Sequence, residues 1–242
     1  MRYLSVLNFG FSLVFMKKKI DVIMFATSHL ETYTQYAIPT WEKYCAVHGY
    51  RFFHYSDAYY DDLHLVWSKI RSVREHLYQH DCDYLLMVDA DTIPTSFELS
   101  IEEILAEFMT PNKQILFQKD GSNRLHYLYF PHNLKLAFRS KKWILPNAGF
   151  ILMKNNDAVK AFFDEWLARA YTSPYANQPP RNQQVLTYEM LTQTHIETMV
   201  GYVETWVVNK FKGKLCQHFS SKTPEQIAAL MLPFYRELVG SG

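Results

Sequence analysis

Tyr84-Leu-Leu-Met-Val-Asp-Ala-Asp91 is the stretch on which the fold turns. An unbroken apolar run from Tyr84 to Val88 stops at two carboxylates one residue apart. So short a run, bounded by polar residues, reads as a strand buried on both faces. Asp21-Val-Ile-Met-Phe-Ala-Thr-Ser28 is a second such run, ending in small hydroxyl residues. Tyr50–Tyr55, Gln114–Gln118 and Gly149–Met153 read as further strands. Helical spacing lies between them. One helical segment stops at Gly49, with Pro39 expected to kink it or to mark its start. Ile70, Val73 and Leu77 share a face in the next, and Ser100-Ile-Glu-Glu103 is a capping box opening a third. Val159, Phe162, Phe163, Trp166, Leu167 and Ala170 form the clearest amphipathic helix, followed by a helical Gln183–Leu191. Thr223-Pro-Glu-Gln226 is a second capping box, with proline at the first helical position. Strands alternating with helices predict an α/β fold, a mostly parallel central sheet flanked by helices. In such open sheets ligands bind beyond the carboxyl ends of the strands, which singles out Thr27, Ser28, Asp57, Asp89, Asp91 and Asp120.

Composition bounds the rest. The 242 residues are 48% hydrophobic and 20% charged, an ordinary globular balance that excludes extensive disorder. A net charge of +1 gives no electrostatic footprint for nucleic acid. Cys45, Cys82 and Cys216 lie far apart without a CxxC pair, which argues against a disulfide framework or zinc knuckle and suits a reducing compartment. The 8 glycines form no phosphate-cradling loop motif. The 16% aromatic content reads first as a large aromatic core. Residues 3–16 are apolar and precede Lys17–Lys19. That run falls short of the ~20 residues a membrane span needs, and its basic residues stand on the wrong side for a signal peptide. We therefore expect residues 1–19 to be a peripheral segment or short anchor, and residues 20–239 to form one domain. A cytoplasmic location follows, with a membrane-anchored place in the secretory pathway as the alternative.

Two carboxylates at the end of a buried strand are hard oxygen ligands for a shared Mn²⁺ or Mg²⁺, with nucleotide phosphates completing the shell. Asp81-Cys-Asp83 has the same spacing in a polar stretch and reads as a solvated turn. Two enzyme classes place paired acids this way. In the dehalogenase-like phosphatases the strand runs into D-x-D-x-[TV], which Asp89-Ala-Asp91-Thr92-Ile93 nearly matches, with Asp89 as nucleophile and Asp91 as acid/base. That class also needs a late pair of acids on another strand end. After Asp91 the only aspartates are Asp120, Asp157 and Asp164, the last two in the amphipathic helix. The second class is the GT-A glycosyltransferases.

Here several motifs stand in register. His64-Leu-Val-Trp67-Ser-Lys69-Ile70 resembles the H-x-x-W-x-K-I segment of the galactosyl-, xylosyl- and mannosyltransferase family that includes plant xyloglucan xylosyltransferases and fungal Golgi α-mannosyltransferases. The Asp89-Ala90-Asp91 strand end, Asn147-Ala148-Gly149 running on to Asn155, Asn182-Gln183 and His218-Phe219-Ser220-Ser221 resemble the family's later landmarks, over about residues 21–222. Arg181 and Asn182 stand where the family usually has acids, and Ser221 where it has glycine after His-Phe.

The resemblance implies a Rossmann-like GT-A domain and a metal-dependent transferase. It implies Asp89, Asp91 and His218 as ligands of Mn²⁺ or Mg²⁺, with Ala90 in the same nucleotide site and Lys222 adding charge to the diphosphate. Ala26, Thr27 and Ser28 would meet base and ribose, or simply end a strand. Lys69 and Arg71 would reach the nucleotide, unless they are solvated helix-surface charges; Trp67 is expected to pack. Asn147, Ala148 and Gly149 would line the donor sugar, and Gln183 would touch its reacting face as the catalytic candidate. No carboxylate stands out as a base for an inverting reaction, and the family resembled is retaining, so retention is the expectation. The donor is then a UDP-linked hexose, pentose or deoxyhexose and the acceptor a glycan or glycoprotein. Tyr127, Tyr129, Phe130 and Trp143 can serve an acceptor pocket or simple packing. A phosphatase and a non-catalytic nucleotide-sugar-binding module are the alternatives.

Overall fold

The computed structural model describes residues 18–60, 62–119, 145–179, 181–209 and 213–240. The N-terminal apolar segment, Asp120, and the aromatic candidates Tyr127, Tyr129, Phe130 and Trp143 lie outside the described residues.

Six strands form the central sheet: β1 (Ile20–Phe25), β2 (Arg51–Tyr55), β3 (Tyr84–Asp89), β5 (Ile115–Lys119), β6 (Pro146–Lys154) and β7 (Val200–Val203), in the order β2-β1-β3-β6-β5-β7. β6 runs antiparallel to both β3 and β5, while β1 is parallel to β2 and β3, and β5 is parallel to β7. Five strands therefore point one way and β6 is reversed. A smaller sheet of β4 (Thr92–Pro94), β8 (Val208–Asn209) and β9 (Cys216–His218) lies beyond the end of β3, in the order β4-β9-β8.

Side-chain alternation divides the core. Val22, Met24, Leu86, Val88, Phe150 and Leu152 face one half of it, with α1 (Glu31–His48), α3 (Ile101–Phe108) and α7 (Pro224–Leu238). Ile23, Leu85, Met87, Ile151 and Met153 face the other, with α2 (Val66–Gln79) and α4 (Asp157–Thr172). Both faces of these strands are buried, which is why they are continuously apolar in sequence. Trp41, Trp67 and Trp166 are all fully buried, so much of the aromatic content is core. Both capping boxes form, at Ser100 and at Thr223.

The alternative that Pro39 marks the helix start is corrected: α1 begins at Glu31 and passes through Pro39. Proline inside a helix costs roughly 3 kcal/mol, but burying Tyr33, Ala37, Trp41 and Tyr44 on one face returns about 1.5–3 kcal/mol for each large side chain. The helical reading of Gln183–Leu191 holds in two parts: α5 (Asn182–Val185) gives way to a π-helical turn at Leu186–Met190. α6 (Thr194–Met199) then leads into β7. Gly49 ends α1 in the left-handed conformation, φ 72°, as its sequence position predicts.

One charge is taken into the core. Asp21 alternates onto the α2 side of β1 and is fully buried. Arg51 binds both its oxygens, at 2.7 and 2.8 Å, and His76 Nε2 lies 2.8 Å from Oδ2. The other ring nitrogen of His76 lies 2.8 Å from the Tyr55 hydroxyl. Asp21, His76 and Cys82 are grouped closely enough to hold a metal, yet the oxygens of Asp21 and the nitrogens of His76 already have partners. Burial alone would raise the Asp21 carboxyl's pKa, but the hydrogen bonds from His76 and Arg51 outweigh it and hold it below the ordinary value. Asp21→Asn is therefore expected to cost about 3 kcal/mol at neutral pH in denaturant titrations, the scale of a broken buried pair. A carboxyl held below its unfolded value of about 3.9 stabilises above that pH and loses the contribution as pH falls through its folded value. The gap between variant and wild type should accordingly shrink below about pH 4.

Candidate active site

β3 delivers the first carboxylate by alternation. Leu85 and Met87 face α2, so Asp89, two residues on, faces it too. There it meets Lys69, whose Nζ lies 2.6 Å from Asp89 Oδ1 and 3.1 Å from the Ala148 carbonyl oxygen. Lys69 is 7% exposed. The solvated-surface alternative for this lysine is thus set aside: the ammonium joins the end of β3 to the end of β6.

The turn Asp89-Ala90-Asp91 is fastened from three sides. Thr92 Oγ1 donates to the Asp89 carbonyl at 2.7 Å, Phe219 N–H donates to the Asp91 carbonyl at 2.9 Å, and Trp41 Nε1 donates to Thr92. The antiparallel pairing of β4 with β9 sets Thr92 opposite His218. His218 Nε2 consequently lies 3.2 Å from Asp91 Oδ1. One ligand atom from each of Asp89, Asp91 and His218 falls within 4.8 Å of the others.

Electrostatics couple these groups. Burial pushes the Asp91 carboxyl up, but the charge and hydrogen bond of His218, with help from Lys69, outweigh it and hold the carboxyl below its usual range. Burial pushes the His218 imidazole down, and Asp91 and then Asp89 more than reverse that. The imidazole and the Asp91 carboxylate thus favour each other's charged forms.

β6 supplies the opposite wall. Asn147 Oδ1 accepts the Gly149 N–H at 2.8 Å, and Gln183 Oε1 accepts the Ala148 N–H at 3.3 Å. The structure therefore brings Asn147, Ala148, Gly149 and Gln183 together with Lys69 and the Asp89–Asp91 turn. At Gly149 a Cβ atom would stand 2.3 Å from His218 Cε1, so the imidazole lies where only glycine leaves room. Asn182 is 3% exposed, and among the described residues its Nδ2 has no hydrogen-bond partner. Arg181 before it has a positive φ of 51°.

Ala26, Thr27 and Ser28 follow β1, whose last residue, Phe25, pairs with Asp89. Ala26 is buried at the end of β1, with its carbonyl 2.8 Å from His54 Nε2, and Thr27 Oγ1 lies 2.8 Å from His29 Nδ1. Ser28 and Lys222 are exposed. Arg71 pairs with Glu75 at 2.6 Å and stacks on Tyr59 and Tyr60, on the side of α2 away from Lys69. Trp67 packs as expected and donates to the Ala176 carbonyl. Two residues escaped the sequence reading. Tyr33 has its hydroxyl pKa raised by burial and then by the charges of Asp91 and Asp89, and nothing in its sequence marks it. Gln118 lies 2.9 Å from His218 through Oε1; it ends an apolar run, the strand-end signal that flagged the aspartates.

A sheet of five like-directed strands and one reversed strand, with helices on both faces and paired acids at a strand end, is the GT-A glycosyltransferase architecture. Solved structures bear this out. A glycosyltransferase involved in glycosylation of the major capsid of PBCV-1 matches with a TM-score of 0.67 at 13% identity, covering 89% of this chain and 99% of that one. The apo form of the glycosyltransferase GlyE of Streptococcus pneumoniae TIGR4 gives 0.57 at 8% identity, over 90% of this chain and 60% of that one. The galactosyltransferase LgtC, solved with donor and acceptor sugar analogues, gives 0.50 at 11%, over 90% and 96%. No curated protein sequence matches the chain. Residues 14–230 match the galactosyl transferase GMA12/MNN10 family, and the chain belongs to that family. It is a glycosyltransferase, and the phosphatase and non-catalytic alternatives fall away. Asp164 agrees: it is bound by Arg74 and Tyr78 of α2, on a helix and away from a strand end.

Two substitutions test the geometry. Gly149→Ala should destabilise by about 1–3 kcal/mol, the range for overpacking, because the ring it displaces is itself buried; thermal denaturation measures this. Ser221, where the family resemblance calls for glycine, has φ 66°. A non-glycine residue there costs about 1–2 kcal/mol, while glycine loosens the unfolded chain by about 0.4–1 kcal/mol. Ser221→Gly should therefore raise stability by up to about 1 kcal/mol on balance.

Proposed function

We propose that this glycosyltransferase, folded as one domain over residues 20–239, moves a sugar from a UDP-sugar to a hydroxyl of a glycan or glycoprotein, with retention of anomeric configuration. The clustering of Asp89, Asp91 and His218 at the sheet's carboxyl edge is the observation that supports it most directly. Two hard carboxylates and one imidazole fit Mn²⁺ or Mg²⁺, leaving positions for diphosphate oxygens. Such an ion, when bound, neutralises charge on a departing diphosphate.

The chain's own residues do the rest. Lys69 balances one carboxylate charge and holds Asp89 against the β6 wall. Asn147 and Gln183 tie the backbone of Ala148 and Gly149 as the wall for the donor sugar, with the side-chain space of Gly149 taken by the His218 ring. Ala26, Thr27 and Ser28 stand at the neighbouring strand end, as a site for base and ribose. Lys222, exposed in the turn after β9, adds charge to the phosphates in this reading. Arg71 acts at most from the rim, held by Glu75. Gln183 presents its amide to the reacting face of the sugar. In the transfer the bond between the anomeric carbon and the phosphate oxygen breaks, and the bond to the acceptor oxygen forms on the same face. The acceptor proton passes to the departing phosphate oxygen. No separate base is required, in keeping with the engagement of Asp89 by Lys69 and of Asp91 by His218.

Cys45, Cys82 and Cys216 are buried and unpaired, which supports a reducing compartment such as the cytoplasm. Among the described residues, no helix is long and apolar enough to cross a membrane.

Calorimetric titration of UDP should show micromolar binding with Mn²⁺, lost in EDTA and in the Asp89→Ala, Asp91→Ala double variant. UDP binding that ignores both metal and carboxylates would overturn the metal site. Because Asp91 and Asp89 raise the pKa of the His218 imidazole and a metal ligand must give up its proton, Mn²⁺ affinity should weaken as pH falls through that raised range.

A further inference from the structure

We infer that Gln118 is a positioning residue for His218, fixing the ring's tautomer and plane so that Nε2 faces Asp91 as a ligand. This rests on the metal site proposed above. An imidazole that binds a cation through Nε2 keeps its proton on Nδ1, and in a buried site that N–H needs an acceptor. His218 is 3% exposed, and its Nδ1 lies 2.9 Å from Gln118 Oε1, on a side chain itself only 5% exposed.

Backbone geometry builds the contact. β5 pairs Phe117 with Ile151 and then Gln118 with Asn147, so β6 bulges through Ala148, Gly149 and Phe150 at this point. Bulges of this kind re-aim side chains next to active sites. The bulge brings Gly149 under the ring, with no room for a Cβ, while Gln118 holds one edge and Asp91 faces the other. The ring is therefore gripped at Nδ1, at its face and at Nε2. An amide also supplies the acceptor without adding a third negative charge to a site that already holds Asp89 and Asp91.

The test measures free Mn²⁺ by electron paramagnetic resonance in titrations of wild type, Gln118→Leu and Gln118→Glu. Nitrogen NMR of ¹⁵N-histidine-labelled, metal-free protein at about pH 9 reads the His218 tautomer independently. Gln118→Leu should weaken Mn²⁺ binding about 10–100-fold, the usual effect of removing a ligand's supporting hydrogen bond, and lose the Nδ1–H tautomer. Gln118→Glu, which keeps an acceptor, should bind at least as tightly as wild type. Wild-type affinity in Gln118→Leu, or equal losses in Leu and Glu variants, would overturn the proposal. Should Gln118→Leu fail to fold, Gln118→Asn, whose shorter amide cannot reach Nδ1, takes its place with the same expectation. If wild type itself binds no Mn²⁺, the metal site fails, and the tautomer spectra alone decide the role of Gln118.

Discussion

The site depends on a single register. β4 is three residues long, yet its antiparallel pairing with β9 places His218 opposite Thr92, one residue beyond Asp91. Phe219 N–H closes on the Asp91 carbonyl and completes the join. Slipping that pairing by one residue would turn His218 to the other face and put Gln217 in its place. The strands are too short to hold this register by themselves. Burial on both sides holds it: Thr92, Ile93, Cys216 and Phe219 are all buried, and Trp41 reaches from α1 to bond Thr92. The aromatic core beneath α1 thereby sets the geometry of the polar site above it.

α2 shows how polar groups enter a core built mainly of hydrocarbon. Lys69 and His76 lie seven residues apart, two helical turns, and so share the face turned to the sheet. Each meets a carboxylate that strand alternation has directed to the same side: Lys69 meets Asp89 at one end of β3, and His76 meets Asp21 near the start of β1. Leaving either carboxylate unpaired would cost several kcal/mol, so the pairings specify the seating of α2. Ser68 and Ser72 are also buried on this helix, with Ser72 Oγ donating back to the Ser68 carbonyl. The same seating that stabilises the domain holds a cationic side chain beside the candidate metal ligands.

Departures from the family pattern acquire physical meaning in the fold. The residue after His218-Phe219-Ser220 needs a left-handed backbone, which explains glycine in relatives and makes Ser221 strained here. Among the described residues, Asn182 is buried with its Nδ2 unpartnered, beside the strained Arg181 and next to Gln183. An acid in that place would present acceptors to the same space, where this chain presents a donor.

Much of this was legible in the linear chain. Apolar runs bounded by acids read as buried strands because both faces of the sheet are covered, and capping boxes read as helix starts because three-residue spacing is local chemistry. The strand-end rule found Asp89 and Asp91, and the family resemblance added His218 and Gln183. Local signals left two details open that distant packing decided: Pro39 lies inside α1, under the burial of Trp41 and Tyr44, and does not start it, and the helix continues after Val185 as a π turn. The reversal of β6, the burial of Lys69 and the approach of Tyr33 were not readable at all, and Gln118 was readable only as the end of an apolar run. Sequence by itself determined the periodicities, the caps and the chemical identity of the candidate ligands, because those depend on neighbours within a few residues. Tertiary structure decided which of those groups meet, because a register between distant strands is set by the packing of the whole core.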